Sequence, residues 1–294
     1  MTSANLAANP YSLAPALAQA LGLPVSAYVG QRIAKTLLIE QIANLPGSTA
    51  ADKRLVNQLL AELHWLAALK PATCGLAAWK TDTHDYLEIA VLHAVLYGSS
   101  AAAPVASAAR PNQLTRLIEL IHRTIPYPVV LIVSQPGAQG STEQLSLAHK
   151  RLSAGNSSAM VLEQAITTKS IAACAHKTGA TGQFVHYLAS NQAPNASTNA
   201  SILPIHDLYA RYGDWLHAAE ALAASEHTGQ FTVSTTAPDA TRRRSALVEH
   251  DQLGQQLISL RTEARKESQL GQRAALNLKI AQLMAERQAL LGHL

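Results

Sequence analysis

The apolar positions recur at a period near four at the start of the chain, at a period of two in its middle, and near four again at its end. Leu13–Leu21 reads as a short amphipathic helix closed by Gly22, and Arg32–Ile42 reads as a second. Ala51–Leu69 reads as a third, capped by Ser48 or Thr49, with Leu55, Leu59, Leu63 and Leu66 on one face. Tyr86–Leu96 then alternates, placing Leu87, Ile89, Val91, His93 and Val95 on one side. Its β-branched content favours a strand over the helix that Leu87, Val91 and Val95 would also allow. Leu117, Ile118, Leu120 and Ile121 stripe another helix, which Pro126 and Pro128 end. Val129–Val133 is a buried strand, Gln135–Gly140 supplies turn residues, and Gln144–Ala148 returns as its partner. His206–Ala224 is a helix that covers this sheet. Gly98–Pro111, the stretch from Gly155 to Ser158 and Asn191–Ser201 read as loops.

The tail has the strongest helical periodicity. Leu253, Leu257, Leu260 and Ala264 form one heptad run, and Leu276, Ile280, Leu283, Arg287, Leu290 and Leu294 form another, out of phase with the first. Either one helix carries a stutter, or the chain folds back near Ser268–Gly271; the hairpin is the preferred reading. The expected fold is therefore α+β: helices packed on a small sheet over residues 1–238, followed by a helical hairpin or coiled coil over 239–294.

Alanine supplies much of the 48% apolar content and aromatics only 4%, so the core must be aliphatic. The net charge of +4 is carried by the tail alone, where Arg242–Leu294 holds nine Lys or Arg against five Asp or Glu. That is too little for a dedicated nucleic-acid binder. Cys74 and Cys174 stand far apart with no C-x-x-C pairing, which argues against a disulfide scaffold or a cysteine-rich zinc site. No run reaches the roughly 18 apolar residues of a membrane span, so a cytoplasmic protein is expected.

Candidate chemistry is sparse. Asp82, Asp85 and Glu88, with Lys150 from a neighbouring strand, could form the acid cluster of a metal-dependent nuclease. The acid-x-Lys pattern fails, however, because Ala90 stands two after Glu88; a structural pairing of Glu88 with an arginine is the better reading. His149, Lys150 and Arg151 end a strand and could bind an anion, or form a solvated charge run. His122 and Arg123 read as a cationic helix terminus. Arg242, Arg243 and Arg244 could neutralise phosphates of DNA, or be a solvated linker. No phosphate-cradling glycine loop, serine elbow or H-x-x-x-H pattern occurs, so no cofactor and no metal are expected.

Several strings carry a family resemblance: Gln31-Arg-Ile-Ala-Lys35, Leu69-Lys-Pro-Ala-Thr73, Tyr86-Leu-Glu-Ile89, Ile125-Pro-Tyr-Pro128, Ala148-His-Lys-Arg151, Leu208-Tyr209, and Lys266-Glu-Ser-Gln269 before Leu276-Asn-Leu-Lys-Ile280. From about residue 20 onward the chain resembles the bacterial domain-of-unknown-function 4391 family. Ala34 stands where that family's early motif carries a proline. The resemblance implies a companion of DNA methyltransferases and helicase-type ATPases in restriction and phage-defence loci, and carries no catalytic residues. The expected function is a non-catalytic adapter that positions such a partner, with DNA contact or self-association through the tail as further expectations. Its docking seam would be Leu253, Leu257, Leu260, Leu276, Ile280, Leu283 and Leu290. The alternative is a divergent nuclease using Asp85, Glu88 and Lys150.

Overall fold

The computed structural model describes residues 15–98, 111–137, 140–153, 156–163, 165–169, 171–172, 179–190 and 205–294. The loops expected over most of 98–111 and over 191–201 lie outside them. The chain divides into two compact units, Met1–Ala219 and Glu220–Leu294.

In the first unit the elements run α1 (Ala16–Ala20), β1 (Tyr28–Ile33), α2 (Lys35–Ala43), α3 (Ala50–Leu59), β2 (Leu60–Leu69), α4 (Pro71–Cys74), β3 (Trp79–Lys80), β4 (Asp85–Tyr86) and β5 (Ile89–Leu96). They continue with α5 (Pro111–Thr124), β6 (Val129–Gly137), β7 (Gly140–Leu147), β8 (Lys150–Ser153), β9 (Asn156–Leu162), β10 (Ile166–Thr167), β11 (Ile171–Ala172), α6 (Gly179–Ser190) and the start of α7 (Leu208–Thr228). The main sheet has the order β1-β2-β5-β6-β7-β10, with β11 also paired to β7. β5 and β6 are parallel and are joined through α5; the other pairs are antiparallel.

Two expectations for the N-terminal third are corrected. Arg32 and Ile33 belong to β1, and the second helix begins only at Lys35. Ala34 precedes it at φ −65° and ψ 131°, the φ a proline ring fixes, so alanine keeps the turn that proline would set. The helix expected over Ala51–Leu69 stops at Leu59, and Leu60 passes straight into β2. β2 is sandwiched between β1 and β5 and largely buried at its end, so Leu66, Ala67, Ala68 and Leu69 form a continuous apolar run. Such a run has no diagnostic period, and tertiary pairing decides its form. Thr49 does cap α3: its hydroxyl accepts from the Asp52 amide while the Asp52 carboxylate accepts from the Thr49 amide. Asn156 begins a strand where a loop was expected, and pairs with β8.

One face of the sheet packs on α2, α3 and α5. Leu38, Ile42, Val56, Leu59, Leu117, Leu120 and Ile121 meet Ala90, Leu92, Ala94, Val129 and Leu131 in a core that is almost wholly aliphatic. Elsewhere on the sheet, buried Glu143 accepts from the Ala16 and Leu17 amides at 2.9 and 2.8 Å, satisfying the first turn of α1. The Tyr212 hydroxyl of α7 takes the Ala148 amide at 2.8 Å and lies 2.8 Å from the Val129 carbonyl, tying the helix to β6 and the end of β7.

The second unit holds the end of α7, α8 (Ala237–Lys266), α9 (Leu270–Ala289) and a 3-10 turn at Leu290–His293. α8 and α9 form a hairpin. The chain reverses at Glu267–Gln269, where Glu267 and Gln269 are both extended. Arg261 reaches the Met284 sulfur at 3.4 Å and Gly254 lies beside Arg287. That antiparallel register brings Leu253 level with Leu290, Leu260 with Leu283 and Ala264 with Ile280.

Candidate functional site

Asp85, Glu88 and Lys150 of the nuclease reading are each held by a different partner. Asp85 takes the Lys80 ammonium at 2.9 Å, and Glu88 takes Lys70 at 3.0 Å, a lysine in place of the arginine expected. Lys150 is 2% exposed, and its ammonium donates to the Ile125 and Tyr127 carbonyls at 2.6 and 2.5 Å, just beyond the end of α5. Burial pulls its pKa down to about 7. It closes the loop between α5 and β6 instead of presenting a charge to solvent.

The neighbours of Lys150 divide in the same way. His149 is buried; its Nδ1 bonds the Tyr86 hydroxyl and its ring stacks on Tyr209 at 5.2 Å. Tyr209 in turn stacks on Trp79 at 4.1 Å, so His149 belongs to an aromatic cluster. Arg151 alone of the three is exposed. His122 is not the cationic helix end expected: it is fully buried, bonds the Ser146 hydroxyl at 3.0 Å, and burial with Lys150 nearby lowers its pKa to about 3.

In the second unit Arg243 donates to the Thr232 carbonyl at 2.6 Å and the Leu294 carbonyl at 2.8 Å. Arg244 pairs with Glu220, whose side chain is wholly buried and whose pKa burial pushes up. Arg242, paired with Asp239 at 3.3 Å, is the most exposed of the three. Most of the arginine triplet is thus committed within the fold.

The structure also assembles a polar row that the sequence did not reveal. Arg32 of β1 lies 3.4 Å from Glu62 of β2, and Glu62 holds His64 at 2.9 Å. His64 stands directly opposite His93 of β5, and His93 bonds the buried Ser134 hydroxyl of β6 at 2.8 Å. Burial, then the nearby His64, lowers the His93 pKa to about 4, so at neutral pH its ring is uncharged and shares one hydrogen bond with the Ser134 hydroxyl. The row crosses four adjacent strands from an exposed arginine to a buried hydroxyl. It escaped notice because Glu62 and His64 were assigned to a helix, where they share no face with His93.

The expected docking seam is occupied. Leu253 and Leu257 are buried, while Leu260, Leu276, Ile280, Leu283 and Leu290 are half-buried along the hairpin. α9 carries a second apolar stripe about 150° around the helix from the seam, following from 100° per residue. Leu270, Ala274, Leu278, Ala281 and Ala285 recur at four, four, three and four, and all are exposed. Leu270 is 73% and Leu278 64% exposed, and Met284 flanks them. This outer stripe is the exposed apolar surface of α9.

Among the described residues, one group has the donors for a metal ion: His227, His250 and Asp251. No described helix is long and apolar enough to cross a membrane. No curated protein and no solved structure matches the chain. A family model described as "Domain of unknown function (DUF4391)" matches residues 21–286. That span takes in the sheet, its covering helices and nearly all of the hairpin, and the protein belongs to the DUF4391 family.

Proposed function

We propose that the chain is a non-catalytic adapter subunit of a restriction-type or phage-defence complex, positioning a DNA methyltransferase or a helicase-type ATPase. The observation that carries this reading is the outer stripe of α9. Exposed leucines on the face opposite a satisfied seam have no role in the hairpin's own packing, and contiguous exposed apolar surface marks interaction sites. A partner helix laid along Leu270, Ala274, Leu278 and Ala281 would approach closely over the alanines and bury both leucines. The genomic company implied by the family resemblance supplies the candidates.

The nuclease reading has less support, since Asp85, Glu88 and Lys150 sit in three separate pairings. DNA contact through the arginine triplet is weakened by the internal bonds of Arg243 and Arg244.

The test is co-purification of the full chain with the products of adjacent genes, beside the Leu270→Glu/Leu278→Glu variant. Both substituted positions are exposed, so the variant should fold. Recovery of a methyltransferase or ATPase by the parent and its loss from the variant support the adapter. A chain that binds no neighbour product, or a variant that binds as well as the parent, overturns it. Loss of self-association in the variant, with no neighbour bound, would make the stripe a homo-oligomer contact and also overturn the adapter.

A further inference from the structure

The end of α7 and the middle of α8, both in the second unit, bring two imidazoles and a carboxylate together. The His227 and His250 rings lie 4.0 Å apart between centroids, tilted by 48°. Asp251 follows His250 directly, and its carboxylate lies 3.9 Å from His250 Nδ1. One ligand atom from each of the three residues falls within 4.8 Å of the others.

A second observation points to a ligand. His250 is 4% exposed, and its Nδ1, which faces Asp251, is buried with no hydrogen-bond partner. A buried polar atom left unpaired is destabilising, and the sequence could have avoided that cost with any apolar residue at this helix position. An ion between the rings and the carboxylate would satisfy that nitrogen. The side of the site formed by Asp251, whose side chain is 81% exposed, opens to solvent and leaves an entry path.

We propose that His227, His250 and Asp251 bind a divalent transition-metal ion, Zn²⁺ by preference, that pins the end of α7 to α8. Two imidazole nitrogens and one carboxylate oxygen suit a borderline ion of this class and suit Mg²⁺ or Ca²⁺ poorly. Three protein ligands leave a coordination position for water. The charge opposing the ion is Arg287, which faces His250 from α9. The set escaped the sequence because its histidines are on two helices, 23 positions apart, with none of the i, i+4 spacing of a helical zinc motif.

The experiment uses the full chain without a histidine tag, freed of metal by chelation. Equilibrium dialysis against Zn²⁺ measures stoichiometry, Co²⁺ substitution reports ligand geometry in the visible spectrum, and melting is followed with and without Zn²⁺. The expected result is one equivalent of Zn²⁺, a Co²⁺ band, and a Tm raised by several degrees. Binding should weaken at least tenfold in Asp251→Asn, which alters an exposed side chain and so keeps the fold, and should vanish in His250→Gln. Absence of stoichiometric binding, or binding unchanged in Asp251→Asn and His227→Gln, overturns the site.

Discussion

Asp52 and Arg116 meet through two hydrogen bonds, Nε to Oδ1 at 2.9 Å and Nη2 to Oδ2 at 3.0 Å, fastening α3 to α5 above the sheet. The Asp52 carboxylate also caps its own helix through Thr49. The guanidinium is the main reason its pKa falls to about 2.

Because the folded pKa of Asp52 lies below its unfolded value of 3.8, the stabilisation is complete above about pH 4 and is lost as pH falls toward 2. Its side chain is only 7% exposed, so the contribution is about 1–2 kcal/mol. Asp52→Asn should lower the unfolding free energy read from urea titration at pH 7 by that amount and leave stability near pH 2 nearly unchanged. An equal loss at both pH values would show that the charge is not what matters.

His93 and His122 should give a second acid transition, at higher pH. Their folded pKa values of about 4 and 3 lie below the ordinary 6.5, so the unfolded chain binds protons first. Stability therefore declines as pH drops through 6.5 and the decline ends below their folded values. Urea titrations between pH 7 and 4.5 should show this slope, reduced in His93→Gln. An unchanged slope in that variant would place the protonation elsewhere.

Tyr212→Phe removes a hydroxyl that is wholly buried and bonded to the Ala148 amide. Burial holds its phenol un-ionised, with the pKa raised. The orphaned amide should cost about 1–3 kcal/mol, read as a lower denaturation midpoint. Hydrogen exchange at the Ala148 amide should accelerate in parallel, and unaltered exchange there would disprove the link.

Arg244 and Arg242 should behave oppositely despite their adjacency. Arg244→Ala strands the buried Glu220 carboxylate and should cost about 3–5 kcal/mol, whereas Arg242→Ala should stay within about 0.5 kcal/mol. Thermal melts of the two variants decide this. Equal stability of both would show that the Arg244–Glu220 pair contributes nothing to the fold.

What the sequence made legible follows from how local each signal is. The α5 stripe, the Thr49 cap and the reversal near Ser268 depend on neighbours a few residues away, and each stands where its pattern placed it; the β6–β7 hairpin does too, except that β6 runs on through Gln135, Pro136 and Gly137, which read as turn residues. The end of α3 depends on β1 and β5, and no periodicity within Ala51–Leu69 announces it. A helical β2 would scatter Glu62 and His64 over different faces, so the row from Arg32 through Glu62, His64 and His93 to Ser134 shows only in the fold. Lys150 was misjudged for a related reason: composition marks a lysine as charged, but only the fold shows two carbonyls waiting for it. The heptads of the tail predict an apolar seam without saying what covers it, and in the hairpin one run serves the other.

The direct junction of α3 and β2 has an evolutionary consequence. No connecting residue lies between Leu59 and Leu60, so a change in length there passes directly into the register of β2, whose ladder is already shifted between Leu60 and Glu62. Inserting a single residue would rotate every side chain of β2 to the opposite face of the sheet, turning Glu62 and His64 into the aliphatic layer and Leu63 out of it. Length variation among relatives should therefore collect in the connections on either side, before Thr49 and after Leu69, and leave this joint untouched.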